Sequence, residues 1–72
     1  MNNNVIMQKQ EKFTALESLF VENVAKKRGG FEPYDNYDWL LVIAGYALAN
    51  GFSHSEAYEF AIDLYKRGIS TY

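Results

Sequence analysis

Few residues in this sequence could carry out chemistry. There is one histidine, His54, set between Ser53 and Ser55, and there is no cysteine. The run Ser53-His54-Ser55-Glu56 reads as a capping box, in which the serine oxygen accepts from the amide three residues on and the glutamate returns to the serine's own amide. Ser53 is thereby committed to the backbone, and adjacent residues on a helix do not face one another, so no serine–histidine pair is expected. Nothing else supplies a nucleophile, a base and an orienting group together, and we expect a chain that is not an enzyme. Glu56, Glu59 and Asp63 fall at spacings of three and four, which puts them on one helix face. With no histidine or cysteine among them, they read as a solvated acidic face and not as metal ligands. Asp35-Asn36-Tyr37-Asp38 lacks the alternating ligands and the glycine of a calcium loop. Gly29-Gly30 precedes a proline and does not open a helix after a strand, so it is no phosphate cradle. The expectation is no catalytic residue, no metal and no cofactor.

Any role must then come from surfaces, and these depend on the elements beneath them. With 72 residues, 49% hydrophobic and 17% aromatic, the chain has just enough apolar material for one domain, residues 1–72. Zero cysteines favour a reducing, cytoplasmic setting. Val5, Ile6 and Met7 are too short a run for an export signal. Residues 39–49, the longest uncharged apolar stretch, cover about 16 Å as a helix, roughly half a bilayer, so no membrane span is expected.

Three helices are predicted, over residues 8–28, 37–50 and 54–67, with residues 1–7 flexible. In the first, Phe13, Leu16, Phe20 and Val24 stripe one face and Leu19 widens it. Lys26, Lys27 and Arg28 complement the macrodipole in its last turn, and Gly29-Gly30 stops it. The connector at residues 31–38 holds Pro33 and three N-cap candidates, Asp35, Asn36 and Asp38. The second helix is apolar around its whole circumference and must be covered on every side. Asn50-Gly51 ends it, Phe52 folds back, and the capping box opens the third helix, which buries Ala57, Phe60, Ala61 and Leu64. Gly68 closes that helix and Ile69 packs back on it. The fold class is all-α, with a tight corner between helices 2 and 3.

Over residues 43–62, the pattern Ala47-x-x-x-Gly51-Phe52-Ser53-x-Ser55-x-Ala57, with Phe60 beyond, resembles the helix-turn-helix motif of bacterial and phage regulators. The resemblance implies a recognition helix that turns His54, Ser55, Tyr58, Glu59 and Ile62 toward bases in the major groove. Charge argues against that use. Residues 29–65 hold six acids and no Lys or Arg, and a recognition helix carrying Glu56, Glu59 and Asp63 would be repelled by phosphates. Direct binding of nucleic acid is therefore not the leading expectation.

Two surfaces remain. Glu32, Tyr34, Asp35, Tyr37, Asp38, Glu56, Tyr58, Glu59, Asp63 and Tyr65 interleave aromatics with acids, a composition suited to docking on a basic protein. On helix 2, Trp39, Val42, Gly45, Tyr46 and Ala49 form a candidate self-association face leading to a homodimer. The competing arrangement has helix 1 and the connector wrap helix 2, with Gly45 admitting Phe13 or Phe20. The leading functional expectation is a small protein-binding inhibitor or adaptor, in size and charge similar to phage and mobile-element anti-defence products such as anti-CRISPR proteins. One alternative is a dimeric helix-turn-helix regulator using Lys26, Lys27, Arg28, Lys66 and Arg67 on phosphates. Another is a structural subunit of a larger assembly.

Overall fold

The structure, a computed structural model, describes residues 3–70, with side chains from Gln8 to Ser70. It is an all-α domain of three helices in the predicted order. The first, α1, runs Asn3–Phe20, widens into a π-helical stretch at Val21–Ala25 and closes with an α-helical turn at Lys26–Arg28. α2 spans Asp38–Ala49 and α3 spans His54–Arg67. At 1.5 Å per residue α1 is about 39 Å long, which sets the 40 Å long dimension of the molecule. No helix among the described residues is long and apolar enough to cross a membrane.

α1 begins at Asn3, earlier than the predicted residue 8, so backbone at positions predicted to be flexible is helical; that expectation for residues 1–2 lies outside the described residues. The π-helical stretch also departs from the simple period. An i to i+5 turn delays the helix by part of a residue. It brings Ala25 to full burial and leaves Val24 only partly buried. Leu19, expected to widen the apolar face, is 48% exposed instead.

α2 and α3 make the most extensive helix–helix contact, and α1 lies across them. Two aromatic groups fill the space between. At the corner end, Phe13 of α1 stacks on Phe52 with ring centroids 5.4 Å apart and meets Phe60 edge-on at 5.5 Å. At the connector end, Phe20 meets Tyr46 edge-on at 5.4 Å, and Trp39 stacks on Phe31 at 4.5 Å. Phe20, Ile43 and Leu64 are completely buried, each contributing about 1.5–3 kcal/mol by removal from water.

The corner follows the predicted local chemistry. Asn50 ends α2, and its amide donates to Tyr46 and Ala47 carbonyls. Gly51 follows at φ +90°, and Phe52 is buried with its amide donating to Ala47 at 3.1 Å. The Ser53 oxygen accepts from the Glu56 amide at 3.2 Å, and the Glu56 carboxylate accepts from the Ser53 amide. Of the three candidates to open α2, Asn36 does so: its side chain accepts from the Asp38 amide at 2.9 Å and its carbonyl from the Trp39 amide at 3.0 Å.

Candidate protein-docking face

The connector is built by three local devices. α1 stops with Gly29 and Gly30 at φ +86° and +77°, and the Gly30 amide reaches back to the Ala25 carbonyl at 2.8 Å. Phe31 then forms an isolated antiparallel bridge with Ile69, through hydrogen bonds of 2.9 and 2.8 Å in the two directions. Residues 32–35 follow as a β-turn, closed by the Asp35 amide donating to the Glu32 carbonyl at 3.1 Å.

In that turn Pro33 takes the second position, which its ring favours, and Tyr34 takes the third at φ +57°. A positive φ there calls for glycine, and holding a bulky residue in it costs about 1–2 kcal/mol. Three contacts repay it. The Tyr34 amide donates to the Tyr65 carbonyl at 3.0 Å, satisfying an acceptor at the open end of α3. The Tyr34 ring meets Tyr65 edge-on at 5.9 Å, and the Tyr65 hydroxyl donates to the Asp35 carbonyl. The result is a fixed, bent connector that holds Tyr34 65% exposed and Tyr37 61% exposed.

The acids divide into two sets that the sequence presents as one. Those of α3 are neutralised within the fold. Lys9 of α1 reaches Glu59 at 2.9 Å and Lys12 reaches Glu56 at 3.0 Å. Arg67 holds Glu17 and Asp63, each at 2.7 Å. The Lys12 ammonium, helped by the Ser53 amide, keeps the Glu56 carboxyl below its ordinary range. The two carboxylates on Arg67 deepen its already permanent charge. Glu32, Asp35 and Asp38, by contrast, are exposed and make no ion pair among the described residues. An open cleft of about 610 Å³ lies beside Glu32 and Asp35, with those two and Arg67 as its charged lining; the charge of Arg67 is already taken up.

Of the ten residues expected to form one docking face, the structure thus places Glu32, Tyr34, Asp35 and Tyr37 on the connector and Asp38 at the start of α2, with Tyr65 as the brace behind the turn. Tyr58 is exposed on the α3 flank away from the ion pairs. Glu56, Glu59 and Asp63 turn toward α1 or α3 cations and belong to the scaffold. The strain at Tyr34 is the feature sequence reasoning missed; the only signal for it is the proline that precedes Tyr34 in a turn without glycine.

The candidate self-association residues separate too. Trp39, Val42 and Tyr46 are half-buried against the core, and the Tyr46 hydroxyl accepts from the Asn23 side chain at 3.3 Å. Gly45 and Ala49 are exposed. Among the described residues nothing lies within 4 Å of where a Gly45 Cβ would stand, so neither Phe13 nor Phe20 packs there. Leu41 and Leu48, 59% and 39% exposed, complete an open stripe with Gly45, so helix 1 and the connector do not wrap helix 2 completely.

Among the described residues no group of three or more His, Asp or Glu side chains gathers as a metal site would require. His54 and Ser55 are exposed at the start of α3. Comparison with protein-family models, curated proteins and solved structures found no match to this chain.

Proposed function

We propose that the chain is a non-enzymatic protein-binding module, an inhibitor or adaptor that docks its connector on a basic surface of another protein in the cytoplasm. The supporting observation is the contrast between the two acidic sets. The α3 acids are consumed internally, whereas Glu32 and Asp35 of the connector and Asp38 at the start of α2 make no ion pair among the described residues and accompany two exposed tyrosines. Strained backbone persists where surrounding contacts over-determine it and is concentrated at functional positions. Aromatics supply interface area, and acidic neighbours set the sign of the partner's charge. A basic groove of a nucleic-acid-handling protein, as a phage or mobile-element anti-defence protein would target, fits this chemistry.

The test is capture from nuclease-treated lysate at low and high salt, with wild type beside a Glu32→Lys, Asp35→Lys variant and a Tyr58→Ala variant of matched helicity. A basic prey held by wild type and Tyr58→Ala, and released by the connector variant, supports the reading. A prey retained equally by all three, or none at all, refutes it.

A helix-turn-helix regulator is the second reading. It is favoured by the corner geometry and by the engagement of Glu56, Glu59 and Asp63 with cations, which lowers the repulsion expected from phosphates. Asp63 and Glu17 occupy Arg67, and Glu22 separately occupies Lys26, so among the described residues Lys27, Arg28 and Lys66 are left for phosphate contacts. Binding restored only when DNA is left intact, and weakening steeply with salt, would favour this reading.

A further inference from the structure

We infer that Asn50 is a site of spontaneous modification, where the chain converts its own side-chain amide to a carboxylate at a rate set by the end of α2. Asn50 is the chain's single asparagine followed by glycine, and both residues are exposed at the corner. A glycine in that place leaves the next amide nitrogen unshielded, because no side chain stands between it and the asparagine carbonyl carbon. The Gly51 nitrogen gives its proton to hydroxide and bonds to Cγ of Asn50. The bond from Cγ to Nδ2 breaks, and the side-chain nitrogen takes a proton from water and leaves as ammonia. Water then opens the cyclic imide at either carbonyl. The net change is amide plus water to carboxylate plus ammonium, with solvent as the sole co-reactant. Gly51 stands at φ +90°, where a side chain would be strained, so the residue that lets the chain leave α2 also makes the preceding amide reactive.

In the closed corner both reacting groups are tied down. The Asn50 side-chain amide donates to the Tyr46 carbonyl at 2.8 Å, so the nitrogen that must leave is held. The Gly51 amide donates to the Leu48 carbonyl at 3.1 Å, so the proton that must be removed is directed into α2. Just beyond, Phe52 is buried and its amide is bound to the Ala47 carbonyl. The reaction therefore passes through an opened last turn of α2, and its rate follows the population of that open form. The products close the turn less well. A carboxylate at Asn50 has no proton to give the Tyr46 carbonyl, and it adds negative charge at the negative end of the α2 dipole. Opening of the imide at the other carbonyl puts an extra carbon into the main chain at the cap. Each converted molecule thus keeps a weaker corner beneath Phe52, which packs on Phe13 and Phe60. The inference uses neither the connector acids nor Tyr34 and stands apart from the docking proposed for them.

The test holds wild type and Ser53→Ala at mildly alkaline pH, with and without urea, and follows conversion at each asparagine by peptide mapping and mass spectrometry. Asn50 is expected to convert first in every sample, and about tenfold or more slowly in native buffer than in urea. Ser53→Ala removes the capping oxygen on the other side of the corner and should speed the native reaction about fivefold while leaving the rate in urea unchanged. Asn50→Asp, made directly, should lower the folded-to-unfolded ratio about fivefold at neutral pH, and less in acid, where the carboxyl is protonated. Equal rates in native buffer and urea, earlier conversion at any other asparagine, no native conversion at Asn50, or an Asn50→Asp chain as stable as wild type would each overturn the inference.

Discussion

Gly68→Ala is the substitution for which the structure makes the sharpest demand. Gly68 follows α3 at φ +75° and ψ 170°, a region of backbone space occupied almost solely by glycine, where another residue costs about 1–3 kcal/mol. A Cβ at this position would stand 2.7 Å from the Pro33 nitrogen, 2.8 Å from its Cδ and 2.9 Å from the Phe31 carbonyl oxygen. Two of these atoms are backbone and the third belongs to a ring, so none can swing aside, and overpacking adds about 1–3 kcal/mol. The strained atoms belong to the segment that bridges Phe31 to Ile69, so relief by movement would break that pair of hydrogen bonds. Together the loss is about 2–6 kcal/mol, against a total stability of about 4–11 kcal/mol for a domain of this size. At about 4–8 °C per kcal/mol, the melting temperature should fall by roughly 8 °C or more. Thermal and urea unfolding followed by circular dichroism at 222 nm would measure it. Gly45→Ala is the control, because its site is empty and helical, and it should gain up to about 1 kcal/mol. If Gly68→Ala melts within about 4 °C of wild type, the close approach of the α3 terminus to the connector is wrong.

Other consequences concern the caps and ion pairs. Ser53→Ala removes the oxygen that accepts the Glu56 amide and should cost about 1 kcal/mol in urea unfolding; no loss would mean that the corner is held by Phe52 alone. Because the Glu56 carboxyl is held below its ordinary value of about 4.5, its interactions stabilise the fold above that pH and are lost as pH falls through the lower, folded value. Melting temperatures between pH 5 and pH 3 should therefore fall less steeply for Glu56→Gln than for wild type, and parallel curves would contradict the Lys12 contact. Arg67→Lys keeps the charge but loses the fork shared by Glu17 and Asp63. A loss of about 0.5–1 kcal/mol, reduced in high salt, is expected for a half-exposed network, and an unchanged denaturation midpoint would remove the network from the account of how α1 docks.

Much of this fold is local in origin, which is why it is legible in the chain. The capping box at Ser53 and Glu56, the Gly51 cap with Phe52 behind it, and the apolar faces of α2 and α3 each depend on residues within a turn or two of one another, where propensity and hydrogen bonding act without help from distant chain. The all-α class and the helix-turn-helix-like corner follow from them. The π-helical stretch at Val21–Ala25 could not be read this way, since the burial of Ala25 depends on where α2 and α3 lie.

The candidate site divides along the same line. Sequence determined which residues are acidic or aromatic, that Tyr34, Asp35, Tyr37 and Asp38 occupy a turn-rich connector, and that helix 2 has more apolar surface than two neighbours can hide. Tertiary structure alone decided which of those charges stay available. Lys9, Lys12 and Glu17 are some 40 to 50 residues from Glu59, Glu56 and Arg67 in the chain, and only the passage of α1 across α3 makes them partners. It likewise decided that Tyr34 is held at positive φ by the far end of α3, and that Leu41, Gly45 and Leu48 form the uncovered side of α2. Spacing along a helix defines faces, but which face meets another helix is set by how the whole core packs.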